Sequence, residues 1–375
     1  MSAPTERHIT YDPIYNTVDR DDFDPLIEIH RYAERTDAFD EIISATVDHF
    51  WDPNDKRYLD FDSSPMNLDE EMIMPPEFCI ELQTSIADKL DEGQKIKLAN
   101  QNTRFIVSTL LHGEQGALSL SASLTSILRD PGSQEYAANQ TREEARHVAG
   151  FSNYVKTRWG TPVQSGETVR HFLTDIIRSP AVYKKLIGMQ MMIEGLAMGA
   201  FATIQRDTND PLLKRLIQFT MADEAGHHKF GKIWADRTVP KLDEEEHIFV
   251  EDWSAEVFQI LLFNLVNSEQ KQGIYGEFGL DWRDVRAAVL EAFTEEDRRA
   301  DMTNNTNVFR VLIKTLLKAG IITDRTKHVY ANWVDMDELK AEDDEVAGQD
   351  IADQATAVLR DINESRQKMG SIYRV

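Results

Sequence analysis

The 375-residue chain is 41% apolar and 28% charged, enough apolar material for a large core in one big domain or two. Its 41 basic against 65 acidic side chains leave a net charge of -24, which repels phosphate backbones and anionic lipid and so disfavours nucleic acid and membrane surfaces as partners. The one cysteine, Cys79, excludes an intrachain disulfide and a thiolate-rich metal site, and suits a reducing cytoplasm. No signal peptide is visible at the start, and no stretch of about 18 uncharged apolar residues predicts a membrane span. The expected location is cytoplasmic.

Residues 1–34, with Pro4, Pro13 and Pro25 among many charges, read as an irregular arm. Phe39, Ile42, Ile43, Val47 and Phe50 predict a helix from Thr36 to about Phe50, and a further helix is expected over 76–90. Long periodic segments then predict helices at about 94–129, 134–158, 181–206 and 211–237, with a shorter one near 167–178. Asp130-Pro131-Gly132 and Gly160-Thr161-Pro162 stop the first two, and Pro180 and Pro211 open the others. Two more helices are expected at about 242–272 and 282–318. A tail dense in Asp and Glu follows, wrapping the surface and carrying a last helix near 350–368. The fold class is therefore all-α, with a four-helix bundle core over 94–237, accessory helices over 1–93, and further helices with an acidic C-terminal tail over 238–375, packed together as one domain.

The informative feature is an internal repeat. Glu-x-x-His occurs twice, as Glu144-Ala-Arg-His147 and Glu224-Ala-Gly-His227. Three residues is close to one helical turn, so each pair presents a carboxylate and an imidazole on one face. Each copy has a glutamate 30 positions upstream, Glu114 before Glu144 and Glu194 before Glu224. That offset suits a helical hairpin whose mid-helix positions stand level. Glu114 aligns with Val107, Leu111 and Leu118, and Glu144 and His147 with Phe151 and Val155. Glu194 aligns with Ile187, Met191 and Phe201, and Glu224 and His227 with Leu213, Ile217 and Met221. A carboxylate buried alone raises its pKa and protonates, whereas four together need cations. Two divalent ions neutralise four carboxylates, and the carboxylate–imidazole set suits iron or manganese better than zinc.

On these residues the core resembles the ferritin-like di-iron carboxylate superfamily, whose bundles carry one Glu on each of two helices and Glu-x-x-His on each of the other two. Ribonucleotide reductase small subunits, multicomponent monooxygenases, soluble acyl-carrier desaturases and arylamine N-oxygenases share the order. The resemblance implies two iron ions, or a manganese/iron pair, held by Glu114, Glu144, His147, Glu194, Glu224 and His227, with the four glutamates as the catalytic carboxylates. It also implies that Asp223 orients His147 across the bundle, that Glu143 serves His227, and that Arg146 pairs with such carboxylates. An exposed helix-surface network is the other reading of Glu143 and Arg146.

Several positions depart from the subfamilies. Phe151 stands where reductase subunits carry a radical-forming tyrosine, with Tyr154 one turn on. Ala197 and Met198 stand where monooxygenases and desaturases carry a threonine, and Thr220 where N-oxygenases carry a further histidine. His228 is a competing ligand ranked below His227, and His112 reads as structural. Methionines and small residues around Glu194 read either as a substrate pocket or as close helix packing, and Gly195 as a site of local helix distortion.

The implied function is a dioxygen-activating non-haem di-iron oxidase or oxygenase for an apolar or aromatic small-molecule substrate. Its external electron donor would be a reductase or ferredoxin, and the chain would work as a homodimer. The alternatives are an iron-oxidising, ferritin-like storage protein and a Mn/Fe radical-generating subunit.

Overall fold

The computed structural model describes residues 15–63, 65–265, 267–301, 308–342 and 348–372. The first 14 residues of the expected arm, and 343–347 of the expected acidic tail, lie outside them. The chain is all-α: the described residues contain no strand, only an isolated antiparallel bridge between Thr17 and Leu128.

Helix α1 spans Asp40–Asp48. The bundle helices are α2 (Glu92–Ile127), α3 (Pro131–Trp159), α5 (Val182–Asp207) and α6 (Pro211–Thr238), with α4 (Glu167–Arg178) between the pairs. Their ends follow from local chemistry. Asp91 and Gln94 cap α2 reciprocally, so two otherwise unpaired N–H groups are satisfied. Asp130 and Asp210 cap α3 and α6, each followed by a proline that has no N–H to lose. Gly160, at φ 81°, ends α3 in a conformation that a side chain resists.

The core forms in two layers separated by a polar one. On α2, Val107 and Leu111 belong to one apolar cluster and Ala117, Leu120 and Leu124 to the other. On α3, Tyr136 and Ala137 are divided from Phe151, Tyr154 and Val155 in the same way. On α5, Met189 and Met191 are divided from Met198 and Phe201, and on α6, Met221 from Phe230. The order of the clusters shows α2 and α6 running one way and α3 and α5 the other. The residues skipped on each helix are the predicted ligands, so all four helices cross the polar layer at one level.

Helix α5 is long and apolar enough to cross a membrane, yet most of it is buried among its neighbours. Its stretch Leu186–Ile193 is wound as π-helix, and α-helical winding resumes at Glu194. The distortion therefore precedes the ligand instead of centring on Gly195. The small residues on α5 make room for backbone. A Cβ on Gly199 would come within 2.8 Å of the Val308 Cα, at the start of the helix Val308–Lys318. This favours the close-packing reading of the methionine–glycine face over the pocket.

Three expectations fail outside the bundle. Instead of one helix over 76–90 there are three short 3-10 turns, Pro76–Phe78, Ile80–Gln83 and Ala87–Lys89, because Cys79 is extended between the first two and Thr84 after the second. The predicted helix 242–272 ends at Leu265, and Asn267 then caps a 3-10 turn, Ser268–Lys271. The predicted helix 282–318 breaks after Ala292, where Thr294 and Asp297 cap a new start at Glu295. The final helix, α7 (Gln349–Ile372), packs against α6 and fully buries Ala355 and Leu359.

Candidate metal centre

All six predicted ligands meet in the polar layer, and each is at least 94% buried. They form two overlapping groups: Glu114, Glu144, His147 and Glu224, and Glu144, Glu194, Glu224 and His227. Within each group the donor atoms lie within 4.8 Å of one another. Glu144 and Glu224 are common to both. The two imidazoles face inward through Nδ1. His147 Nδ1 lies 3.1 Å from Glu114 Oε2 and 3.2 Å from Glu224 Oε1. His227 Nδ1 lies 3.1 Å from both Glu224 Oε2 and Glu144 Oε1.

The outward nitrogens are tied to carboxylates. His147 Nε2 is 2.8 Å from Asp223 Oδ2, and His227 Nε2 is 3.1 Å from Glu143 Oε2. Such a partner fixes the tautomer and leaves the other ring nitrogen for a metal. Arg146 donates through Nε and Nη2 to Asp223 and through Nη2 to Glu143 at 3.3 Å. Glu143 and Arg146 are buried, so the exposed-network reading is excluded.

Two residues with no sequence signal join this outer layer. His49 Nε2 lies 3.2 Å from Glu143, and the Trp51 indole N–H donates to Asp223 at 2.9 Å while its ring stacks on His147. They come from the segment after α1, roughly a hundred residues or more from their partners. A second pair did carry a signal. Gln140 and Gln190 each stand four residues before a ligand glutamate, and both amides are fully buried beside the centre.

The charges show what the layer requires. Glu114, Glu143, Glu144, Glu194, Asp223 and Glu224 face a single guanidinium, Arg146. Without ions, burial pushes Glu114 up to about 8 against the pull of His147. Burial, then Glu224 and Glu144, raise Glu194 well above the carboxylate range. Burial opposes charge on the imidazoles, but Glu114 and Asp223 hold His147 protonated, and Glu224 and Glu144 hold His227 protonated. Protons held on these groups thus stand where divalent ions would carry the charge. Glu144 Oε2 is buried, 3.3 Å from His147 Nδ1, and makes no aligned hydrogen bond. An anionic oxygen at the middle of the layer, with an ion-pair contact and no aligned hydrogen bond, is what a cation would satisfy.

No protein-family model matches the chain, and no curated protein matches its sequence.

The remaining candidates fall outside both groups. His228 is buried with Nδ1 unpartnered, and its Nε2 is 3.4 Å from the Thr315 hydroxyl on another helix. His112 bonds the Val163 carbonyl at 2.8 Å, a structural contact. Phe151 stacks on Phe201 in the core, Tyr154 donates to Asp210 at 2.7 Å, and the Thr220 hydroxyl is buried without a partner.

Proposed function

We propose that the four-helix core is a ferritin-like bundle holding two metal ions, an iron pair or a manganese/iron pair, and that the protein activates dioxygen. On this reading it is a non-haem di-iron oxidase or oxygenase, hydroxylating, desaturating or N-oxygenating an apolar or aromatic small molecule. The observation that carries the reading is the sharing of Glu144 and Glu224 by two buried ligand groups.

Glu114 and His147 would hold one ion and Glu194 and His227 the other, with Glu144 and Glu224 between them. Bound ferrous ions supply the electrons and open coordination positions that dioxygen reduction needs. The chain's own residues prepare the place. Asp223 and Glu143 aim the two Nδ1 atoms inward, and Arg146 keeps Asp223 ionised. Glu144, with one oxygen unpartnered, has freedom to bind through one oxygen or two. Apolar layers on both sides exclude water, which strengthens every charge interaction between them. A reductase or ferredoxin-like donor would supply two electrons per turnover.

Anaerobic loading with ferrous ion, then exposure to oxygen under optical and Mössbauer spectroscopy, tests the reading. Uptake of about two irons per chain with prompt oxygen consumption is the expected result, and failure to bind iron overturns it. Size-exclusion chromatography separates the runner-up. A small oligomer fits the enzyme, while a large hollow shell would replace it with a storage protein.

A further inference from the structure

We infer that Gln140 and Gln190 form an amide clasp that positions Glu194, and so governs the ion site made by Glu144, Glu194, Glu224 and His227. The inference rests on the two-metal reading and distinguishes the two halves of that centre.

Both side chains are fully buried, where an amide without partners is costly. Each satisfies the other. Gln190 Nε2 donates to Gln140 Oε1 at 3.1 Å, and Gln140 Nε2 donates to Gln190 Oε1 at 3.3 Å. The same Gln140 nitrogen reaches Glu144 Oε1 at 3.1 Å and Glu194 Oε1 at 3.5 Å. A flipped amide would turn its carbonyl oxygen towards two carboxylates, so the surroundings decide which end faces them. Among the described residues, no side-chain amide bonds Glu114 or His147; the clasp reaches Glu144, which both groups share, and Glu194, which belongs to one.

Backbone contact fixes where the clasp sits. Gln190 lies in the π-helical stretch Leu186–Ile193, and Glu194 opens the regular turn that follows. On α6, a Cβ at Gly231 would come within 2.8 Å of the Gln190 Cβ and 3.3 Å of its main chain, so bare backbone seats Gln190. A glutamate set directly after a widened helical stretch can settle in more than one place, and the amide from α3 selects one. Gln140 and Gln190 are positioning residues, acting through Glu194 and Glu144.

Metal-free protein is titrated with cobalt(II), followed by calorimetry and by visible d–d absorption. Wild-type protein takes up two ions. Gln140→Met keeps the side chain's size and removes the amide. It weakens one binding step by about tenfold or more and alters the d–d band of the ion bound in that step, with a smaller effect on the other step through the shared Glu144. Gln190→Met gives a smaller loss in the same step, since Gln140 keeps its bond to Glu144 but loses its orienting partner. Equal weakening of both steps, or no change in either, overturns the clasp. Should Gln140→Met fail to fold by circular dichroism, Gln190→Met decides by the same criteria. Wild-type protein that binds fewer than two cobalt ions overturns the two-metal reading, and the clasp with it.

Discussion

Two of the polar clusters buried among the described residues are built on opposite principles. The smaller one ties residues 79–81 to 268–275. Glu81 accepts from Lys271 Nζ at 2.6 Å, from the Tyr275 hydroxyl and from Asn102 Nδ2 at 2.8 Å, while Lys271 also bonds Asn102 Oδ1 at 2.9 Å. One carboxylate meets one ammonium, and each oxygen of Glu81 has a donor. Burial opposes charge on Glu81, but Lys271 outweighs it and holds the carboxyl below its usual range. Burial and Glu81 push the Cys79 thiol up to about 12, so the only cysteine is unreactive. The centre in the bundle has six carboxylates against one guanidinium and two imidazoles, and an oxygen with no aligned hydrogen bond. A polar cluster that closes its own charge needs nothing further, whereas one that leaves charge open can accept a cation. The difference can be read from partners and does not depend on burial, which the two share.

The sharpest way to break the comparison is to remove a shared ligand. Glu144→Ala takes a donor from both groups at once, so bound iron should fall from about two per chain to well below one. Metal analysis after anaerobic loading and desalting measures it. The same assay on Glu81→Gln should return wild-type stoichiometry. Retained binding in Glu144→Ala would dissolve the distinction between the clusters.

The bundle was legible because the two signals that define it are periodic. Apolar spacing located α2, α3, α5 and α6 to within a few residues, and the 30-residue offset predicted four glutamates at one level. The breaks after Leu265 and Ala292 are followed by the polar runs 267–272 and 294–299, which are equally compatible with the exposed face of a continuing helix, so spacing does not reveal the caps at Asn267 and Thr294. Over 76–90 the chain spends its residues on 3-10 turns that helical spacing does not distinguish. His49 and Trp51 could not have been found by spacing, since their bonds to Glu143 and Asp223 span 94 and 172 positions. Gln140 and Gln190 could have been, since each sits one turn before a ligand, the same repeat that disclosed the glutamates.

Stability should separate the clusters above about pH 5; below it Glu143, Glu144, Asp223 and Glu224, held under their usual values, share the sign of Glu81. Without ions, Glu114, Glu194, His147 and His227 all have raised values. Such groups contribute stability that is complete below their unfolded values, about 4.3 for Glu and 6.5 for His, and that is lost as pH rises through the folded ones. Metal-free protein should therefore weaken as pH rises from about 5 through the value of Glu114, about 8. Bound ions replace those protons and should remove the slope. Loading two divalent ions at pH 7 should release protons, measured with an indicator dye in weak buffer. Glu81 has the opposite sign. Its lowered value gives stability present above about pH 4.3 and lost as pH falls through the folded value, with or without metal. Urea titrations across pH, with and without manganese(II), record both slopes, and a metal-free protein that strengthens as pH rises from 6 to 8 would contradict the charge assignment.

The smallest effect tests whether the closed cluster is closed. Lys271→Met leaves Glu81 buried without its cation, which should cost about 3 kcal/mol, since breaking a buried pair strands the remaining charge. Tyr275→Phe removes one hydroxyl donor while Lys271 and Asn102 still hold the carboxylate, so the loss should be nearer 1.5 kcal/mol. Urea midpoints rank the two, and iron stoichiometry should be unchanged in both. Lys271→Met should also flatten the acid limb of the pH profile, because Glu81 no longer has a reason to stay ionised. If Tyr275→Phe were the costlier change, the carboxylate would be held by its hydroxyl donor more than by its counterion, and the cluster would owe its stability to geometry instead of charge balance.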